Sequence, residues 1–375
     1  MKKIGKQVCM LATGNGNPRN GEGAFLRLKD GRILYAFARY QGNNPWDEGS
    51  AVIAGIYSSD EGETWSEPIT LFEKDDAVNN QCVNLLRLQN GDIAIIYTSK
   101  HTKVVNNEEQ LTVRILMRVS KDESKTFSSA RTIIDEDLYM VVENDRLIRM
   151  KNGRLLLPVN YHEWQNGYCS SEGKIGFYYS DDDGQTWLNT KNYIRFPATK
   201  SKFGLQETGV YEFENGELWA FSRTGVGCQY QCFSKDGGFT WSVPEPSEIF
   251  TSPLSPMSVK KVGNYTIAVL NPVARSIMMD YDVSILGTHN RTWGRTPLVC
   301  AVSKDDGRTF RRHDDIKSKE KVFFLEDDFD NGYCYTALFA GDNYFLAGYY
   351  HSNNSSMVLN SNKIIKVYYE ELEQE

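Results

Sequence analysis

The chain has 375 residues, of which 40% are hydrophobic, 12% aromatic and 24% charged, so it has enough apolar side chain for a large core. The formal net charge is −7 and no Lys/Arg-rich run occurs, which argues against a nucleic-acid partner. No run approaches the ~18 apolar residues of a membrane helix, so no membrane association is expected. Length alone suggests two or three domains, although large all-β folds routinely exceed the usual domain size.

The N-terminal stretch, MKKIGKQVCMLATGNGNP, is basic, but its apolar stretch is too short for a signal-peptide core. A cytoplasmic location is therefore expected, or a secreted or periplasmic one if a leader precedes this sequence. The seven cysteines form no CxxC pair, and the five histidines show no metal-ligand spacing. The sequence thus predicts free thiols, no metal centre and no cofactor.

Six turns, each followed by an apolar strand, recur along the chain. In chain order they are LKDGRILYAF (28–37), LQNGDIAIIY (88–97), MKNGRLLLPV (150–159), FENGELWAFS (213–222), KVGNYTIAVL (261–270) and FAGDNYFLAGYY (339–350). Asn-Gly or Asp-Gly between apolar strands is a strong hairpin signal. We therefore predict six antiparallel hairpins.

A second pattern, S-x-D-x-G-x-T-W/F, alternates with the hairpins. Its copies are SSDEGETW from Ser58, SKDESKTF from Ser120, SDDDGQTW from Ser180, SKDGGFTW from Ser234 and SKDDGRTF from Ser303. In such a turn the Asp carboxylate accepts backbone N–H bonds, Gly supplies a positive φ, and the aromatic ring anchors the loop. The pattern predicts a structural staple, so these aspartates are not catalytic candidates.

Each repeat has room for about four short strands, which is the anatomy of a propeller blade. No box follows the last hairpin, so the tail NKIIKVYYEEL and the N-terminal strand are expected to complete the sixth unit. The predicted fold is all-β: a six-bladed β-propeller with four-stranded antiparallel blades, forming a single domain over residues 1–375.

Five Asp-boxes on six hairpins resemble the sialidase (exo-α-neuraminidase) superfamily, and the resemblance covers essentially the whole chain. The boxes alone specify a fold rather than an activity. The family's acid/base Asp lies eleven residues before the first box Ser, which implies Asp47, with Glu48 as the alternative. The preceding AFAR, ending in Arg39, resembles the alanine-rich strand that ends in a basic residue.

The fourth repeat, LQETGVYEFENGELWAFSRT, resembles the family pattern N-E-x-x-x-V-E-L-x-D-G-x-L-x-x-x-x-R, which implies Glu207 and Arg223. GRTPLVCAVSKDDGRTF maps the third arginine of the family's carboxylate clamp onto Arg295. NGYCYTALFAGDNYFLAGYY resembles the family's Tyr-Ser-x-Leu strand, which implies that Tyr335 is the nucleophile. Tyr333, two residues away on the same strand face, is the alternative.

The first clamp arginine of the family lies in an Arg-Ile-Pro motif just before the first hairpin. Here the stretch reads NPRNGEGAFLRLKDG, with Gly-Glu-Gly in place of the motif. Arg19, two residues upstream, is a candidate substitute, and Glu22 adds a negative charge nearby. The departure leaves the substrate open.

A tyrosine nucleophile suits an anomeric carbon that bears a carboxylate. A carboxylate nucleophile at ~4 Å would be repelled by roughly 4 kcal/mol at an effective dielectric near 20, and sialidases are a known tyrosine exception among glycosidases. In this scheme Glu207 takes the phenol proton, Asp47 protonates the leaving oxygen, and arginines bind the sugar carboxylate. Arg223 beside Tyr335 is expected to lower the tyrosine pKa.

The resemblance implies a retaining exo-α-sialidase that releases terminal sialic acid from glycoconjugates. One alternative is a sialidase-fold glycosidase acting on another acidic or neutral sugar. Another is a non-catalytic glycan-binding propeller, although such a binder has little need for Glu207 and Arg223. The expected partner is in each case a carbohydrate.

Overall fold

The computed structural model describes residues 1–105, 108–136, 138–165, 168–197, 202–274, 294–352 and 359–374. These residues form 25 β-strands and one short 3₁₀ helix, Tyr369–Glu373. No helix among them has the length and apolar character that a membrane crossing would need. The predicted all-β propeller is confirmed.

The first strand, β1 (Lys6–Leu11), pairs with the end of the chain, and the next strands form antiparallel units in chain order. The first unit contains β2 (Asn20–Arg27), β3 (Ile33–Tyr40), β4 (Ala51–Ser58) and β5 (Ile69–Phe72). The second contains β6 (Asn79–Arg87), β7 (Ile93–Val105), β8 (Glu108–Ser120) and β9 (Arg131–Ile134). A single parallel bridge, Ala51 to Asn79, joins these two units into one eight-stranded sheet.

Four further sheets follow. The next contains β10 (Tyr139–Val141), β11 (Ile148–Arg149), β12 (Leu155–Gln165), β13 (Tyr168–Ser180) and β14 (Leu188–Asn189). After it come β15 (Gln206–Glu212), β16 (Leu218–Arg223), β17 (Cys228–Ser234) and β18 (Glu245–Thr251), then β19 (Ser258–Val262), β20 (Tyr265–Leu270), β21 (Leu298–Ser303) and β22 (Lys321–Glu326). The last sheet holds β23 (Tyr333–Ala340), β24 (Tyr344–His351), β25 (Ser361–Tyr368) and β1.

The two chain ends meet in this last sheet. Strand β25 pairs antiparallel with β24 on one side and with β1 on the other, where Lys366 lies opposite Lys6. Phe25 and Tyr35 of the first unit pack against Leu346 of the last in one buried cluster. The predicted completion of the last unit by the tail and the N-terminal strand is confirmed.

The Asp-boxes are staples, as predicted. In the third box, Asp182 Oδ1 accepts hydrogen bonds from Ser180 Oγ and from Thr186 N, both at 2.8 Å, and Oδ2 accepts one from Thr186 Oγ1 at 2.6 Å. The other four boxes repeat these bonds. The second box has Ser124 at φ 65°, where the other four place glycine.

Three of the inner strands contain bulges, and one residue in each bulge has a positive φ angle. Cys82 in β6, Glu207 in β15 and Tyr335 in β23 have φ values of 58°, 49° and 58°, each inside a break of the strand register. A non-glycine residue in this region costs roughly 1–3 kcal/mol and persists only where its surroundings hold it. Such strain commonly marks functional sites.

Asp182→Ala should lower the free energy of unfolding by about 2–3 kcal/mol, because it removes three hydrogen bonds to an ionised acceptor. Urea denaturation followed by tryptophan fluorescence measures the change. Asp181→Ala is the matched control in the same turn, since it breaks only an exposed ion pair with Arg154, worth about 1 kcal/mol or less. Equal losses in the two variants would contradict the staple interpretation.

Candidate active site

Three of the residues predicted from the sequence, Tyr335, Glu207 and Arg223, contact one another. The Tyr335 hydroxyl donates a hydrogen bond to Glu207 Oε1 at 2.8 Å. Arg223 Nη1 lies 3.0 Å from the Tyr335 oxygen and 2.7 Å from Glu207 Oε2. The Glu207 and Arg223 side chains are only 12% and 11% exposed. The phenol is therefore held between a proton acceptor and a cation in a largely buried setting.

The alternative tyrosine lies elsewhere. The Tyr333 hydroxyl donates to the Asp328 carbonyl at 3.2 Å, and its ring belongs to the buried cluster between the last two sheets. Tyr335 thus has a potential base beside it, whereas Tyr333 fills a structural position.

The pKa of Tyr335 is raised well above its usual value. Burial is the largest cause and the Glu207 carboxylate adds to it, while Arg223 and Arg295 act in the opposite direction. The expectation of a lowered tyrosine pKa is therefore wrong, because desolvation outweighs the two guanidinium groups. The phenol is neutral in the free protein, so its proton must leave during the reaction rather than before it.

Arg295 lies against the face of the same phenol. Its Cζ is 5.2 Å from the centre of the Tyr335 ring. Its Nε and Nη2 donate to the Leu254 carbonyl at 3.4 and 3.3 Å, and Nη1 lies 3.3 Å from Cys334 Sγ. Two of the predicted arginines therefore flank Tyr335.

Arg19 is buried between two aromatic rings, with its Cζ 4.7 Å from the Tyr40 centroid and 5.1 Å from that of Tyr350. Its Nε donates to the Tyr350 hydroxyl at 2.7 Å. Its Nη1 donates to Asp47 Oδ1 at 2.6 Å, and Nη2 lies 3.5 Å from Glu22 Oε1. The structure thus joins two sequence-predicted residues in an ion pair.

In the motif comparison with the sialidase superfamily, Gly21 stands where the family has its first clamp arginine. A Cβ placed on Gly21 would lie 2.9 Å from Ala38 Cβ and 3.3 Å from the Tyr350 hydroxyl. A side chain at this position would require its neighbours to move. The Tyr350 hydroxyl instead binds Arg19, so a guanidinium reaches this place from two residues upstream.

The loop carrying Asp47 is held by the second unit. Asn79 Nδ2 and Lys100 Nζ donate to the Asp47 carbonyl at 2.6 and 2.9 Å. The Asp47 carboxylate itself is 60% exposed. Partial burial opposes ionisation, but the charges of Arg19 and Lys100 outweigh it and lower the pKa of Asp47 to about 2. Asp47 is therefore ionised at neutral pH in the free protein.

Arg39 is not brought into this group. It lies half-buried in β3, and its side chain makes no hydrogen bond or ion pair with any residue that the structure describes. Arg39 thus lies on β3, the strand that the AFAR motif indicated. Its side chain makes no polar contact with the other predicted site residues.

Other buried polar residues, which were not predicted from the sequence, lie near these groups. They are Cys82, Lys100, Glu143 and Gln206. Gln206 accepts hydrogen bonds from Nε and Nη2 of Arg223 and so orients the guanidinium. The repeat could have identified Cys82 from the sequence. It lies nine residues before its hairpin glycine, the same spacing that Glu22 and Glu207 have. For Lys100 and Glu143 we find no comparable signal.

The BNR repeat-like domain family matches residues 102–351, which is about two thirds of the chain. The chain belongs to this family. Within the wider sialidase/BNR propeller superfamily, a 91-residue segment is 35% identical to the anhydrosialidase of Macrobdella decora. That segment is 24% of this chain and only 10% of the relative's length, so the likeness covers a small part of that protein.

Solved structures of similar fold cover nearly the whole chain. A protein of unknown function from Dyadobacter fermentans has a TM-score of 0.67 at 19% identity, with 96% of this chain and 99% of that one covered. The leech intramolecular trans-sialidase has a TM-score of 0.70 at 16% identity, covering 99% and 71%. The intramolecular trans-sialidase of Ruminococcus gnavus has 0.70 at 14% identity, covering 98% of both chains. At these identities the likeness shows the fold alone.

Replacing Arg19 with glutamine should raise the pKa of Asp47 by about 1–3 units, the effect of one cation at ion-pair distance. NMR of ¹³C-labelled Asp carboxyl groups measures the titration, and the unmodified protein should show Asp47 ionised down to about pH 3. Arg39→Gln, the other candidate in this region, should leave the Asp47 titration unchanged. An unchanged Asp47 pKa in Arg19→Gln would refute the ion pair.

Proposed function

We propose that this protein is a glycoside hydrolase of the sialidase type with Tyr335 as nucleophile. The observation that supports it best is the 2.8 Å hydrogen bond from the Tyr335 hydroxyl to Glu207. Arg223 donates a hydrogen bond to the Tyr335 oxygen and forms an ion pair with Glu207. A purely glycan-binding protein would not need a buried tyrosine hydroxyl beside a carboxylate, on a residue with a strained backbone conformation. The non-catalytic alternative is therefore less favoured.

We further propose that the propeller has six blades. All six predicted hairpins occur as antiparallel strand pairs. The eight-stranded sheet contains two four-stranded antiparallel units that share one parallel bridge, which supports counting it as two blades.

The proposed substrate is an acidic sugar, with sialic acid as the leading candidate. Arg19, Arg223 and Arg295 would bind its carboxylate, because guanidinium groups bind carboxylates bidentately and remain charged when buried. Lys100 adds a fourth buried cation on the Asp47 side. The 2,7-anhydro-Neu5Ac bound to the leech enzyme is consistent with this sugar class.

In the proposed reaction Glu207 accepts the proton of Tyr335 as the phenol oxygen attacks the anomeric carbon. The bond to the leaving oxygen breaks, and Asp47 gives that oxygen a proton. Asp47 then takes a proton from water, which displaces Tyr335 from the anomeric carbon, and Glu207 returns the proton to the phenol. Two displacements retain the configuration.

Asp47 must be protonated to act first as an acid, yet its pKa is about 2 in the free protein. We propose that the substrate carboxylate competes with Asp47 for Arg19. Once Arg19 turns to the substrate, Asp47 loses the nearest of the cations that hold its pKa low and also faces a new anion, and both changes raise the pKa of Asp47. Substrate binding would thus prepare the acid.

A second product is consistent with the relatives. The anhydrosialidase and the intramolecular trans-sialidases suggest that a hydroxyl of the bound sugar could replace water in the second displacement. Analysis of the released sugar by NMR distinguishes the free acid from an anhydro product.

Tyr335→Phe should lower turnover of an activated aryl α-sialoside by about 10³-fold or more, because the nucleophile is lost. Release of the aryl group measures the rate. Tyr333→Phe is the matched control, two residues away, and should keep most of the activity. Undiminished turnover by Tyr335→Phe would remove the mechanism.

Arg19→Gln should reduce kcat/KM on an acidic glycoside by about 10- to 100-fold, the range of one lost charge-assisted hydrogen bond. The comparison uses parallel panels of sialosides, uronosides and neutral glycosides. If the protein were active only on neutral sugars and Arg19→Gln had no effect, the proposed acidic substrate would be wrong. The proposal that Tyr335 is the nucleophile would still stand.

A further inference from the structure

A buried cluster of two carboxyl groups and a thiol lies where three consecutive units of the propeller meet. Glu22 comes from β2, Cys82 from β6, and Glu143 follows β10. One oxygen of each carboxylate and the Cys82 sulfur all lie within 4.8 Å of one another. The three residues are 5%, 4% and 4% exposed. Side chains far apart in the sequence thus converge on one small volume.

The cluster has an unused acceptor. Glu22 Oε2 is fully buried and has no hydrogen-bond partner within the part of the chain that the structure describes. Glu143 Oε1 accepts one bond, from the Asn144 backbone N–H at 2.9 Å. A buried carboxylate oxygen without a donor costs roughly 1–3 kcal/mol or more. The oxygen therefore lacks the partner that buried polar groups normally have.

We propose that Glu22, Cys82 and Glu143 bind a divalent cation of the zinc class. Their ligand set is two carboxylate oxygens and one thiolate. The thiolate favours zinc or another borderline metal over magnesium or calcium, which prefer oxygen ligands alone. Three protein ligands leave a fourth position open, as in zinc sites that also hold water or a ligand. This proposal goes beyond the glycosidase function and does not depend on it.

Metal binding at this cluster would release protons. The three side chains must be deprotonated to act as ligands, so a bound divalent cation would displace at least the thiol proton of Cys82.

The repeat explains how two of the three ligands, Glu22 and Cys82, come together. Glu22 and Cys82 lie at the position that carries Glu207 in the fourth unit, nine residues before the hairpin glycine. Corresponding inner-strand positions of a propeller face the central channel, so adjacent units bring these side chains side by side. The positive φ of Cys82 is shared with Glu207 and Tyr335.

The test titrates the full-length protein with Co²⁺ and, separately, with Zn²⁺ near pH 8. We expect one tightly bound ion per chain, a thiolate-to-cobalt absorption band in the near ultraviolet, and proton release in calorimetry that varies with the buffer. Cys82→Ser should abolish the band. Glu143→Gln should weaken zinc binding by more than the roughly 10- to 100-fold that the loss of an outer-shell partner costs.

Cys232→Ser is the matched control, since Cys232 is another buried free thiol but lies in a separate cluster around β17. It should keep both the band and the affinity. Circular dichroism establishes that each variant is folded, and Zn²⁺ should raise the Tm of the unmodified protein but not that of Cys82→Ser.

Absence of stoichiometric binding by the folded protein, or a cobalt band that survives Cys82→Ser, would overturn the proposal. None of these measurements uses a glycoside. Failure here would therefore leave the proposed hydrolase untouched, and inactivity of the protein towards glycosides would leave the metal site untouched.

Discussion

The closed ring is the constraint on which the remaining structure depends. Each antiparallel unit buries its faces against its neighbours in the ring, so the chain must pair its two ends to complete the last unit. Strand β25 does this by pairing with β1 and β24 at once. Because the ring is closed, the inner strands of distant units face one another across a fixed distance, and residues 128 positions apart can share a proton.

At the centre, opposite charges are gathered rather than kept apart. Arg19, Arg223 and Arg295 lie against Asp47, Glu207 and Tyr335 within a largely buried region. Burying such groups is costly unless each is paired, and the pairing here is nearly complete. The exceptions among the described residues, such as Glu22 Oε2, therefore indicate what else this region can bind.

The pKa values of two residues in this region are shifted in opposite directions. Asp47 is partly exposed and next to two cations, so its pKa falls to about 2. Tyr335 is buried and next to a carboxylate, so its pKa rises although two arginines touch it. In the free protein Asp47 is therefore ionised, although the first step of the proposed reaction needs it as an acid. Tyr335 is neutral, although the same step needs its oxygen as a nucleophile. The proposed exchange of Arg19 between Asp47 and a substrate carboxylate accounts for the first of these.

Sequence patterns were enough to predict the repeat, the hairpins and the Asp-box staples, because each depends on residues near one another in the chain. The last hairpin has no Asp-box after it, and this indicated that the two chain ends complete the last unit. The sequence also pointed to Glu207, Arg223, Arg295 and Tyr335 through local motifs on known strands. Packing of the units determined the remaining features. Asp47 pairs with Arg19 rather than Arg39, the pKa of Tyr335 rises, and Glu22, Cys82 and Glu143 converge. Distances across a ring and the loss of solvent around a side chain depend on how units pack, and no local pattern encodes either.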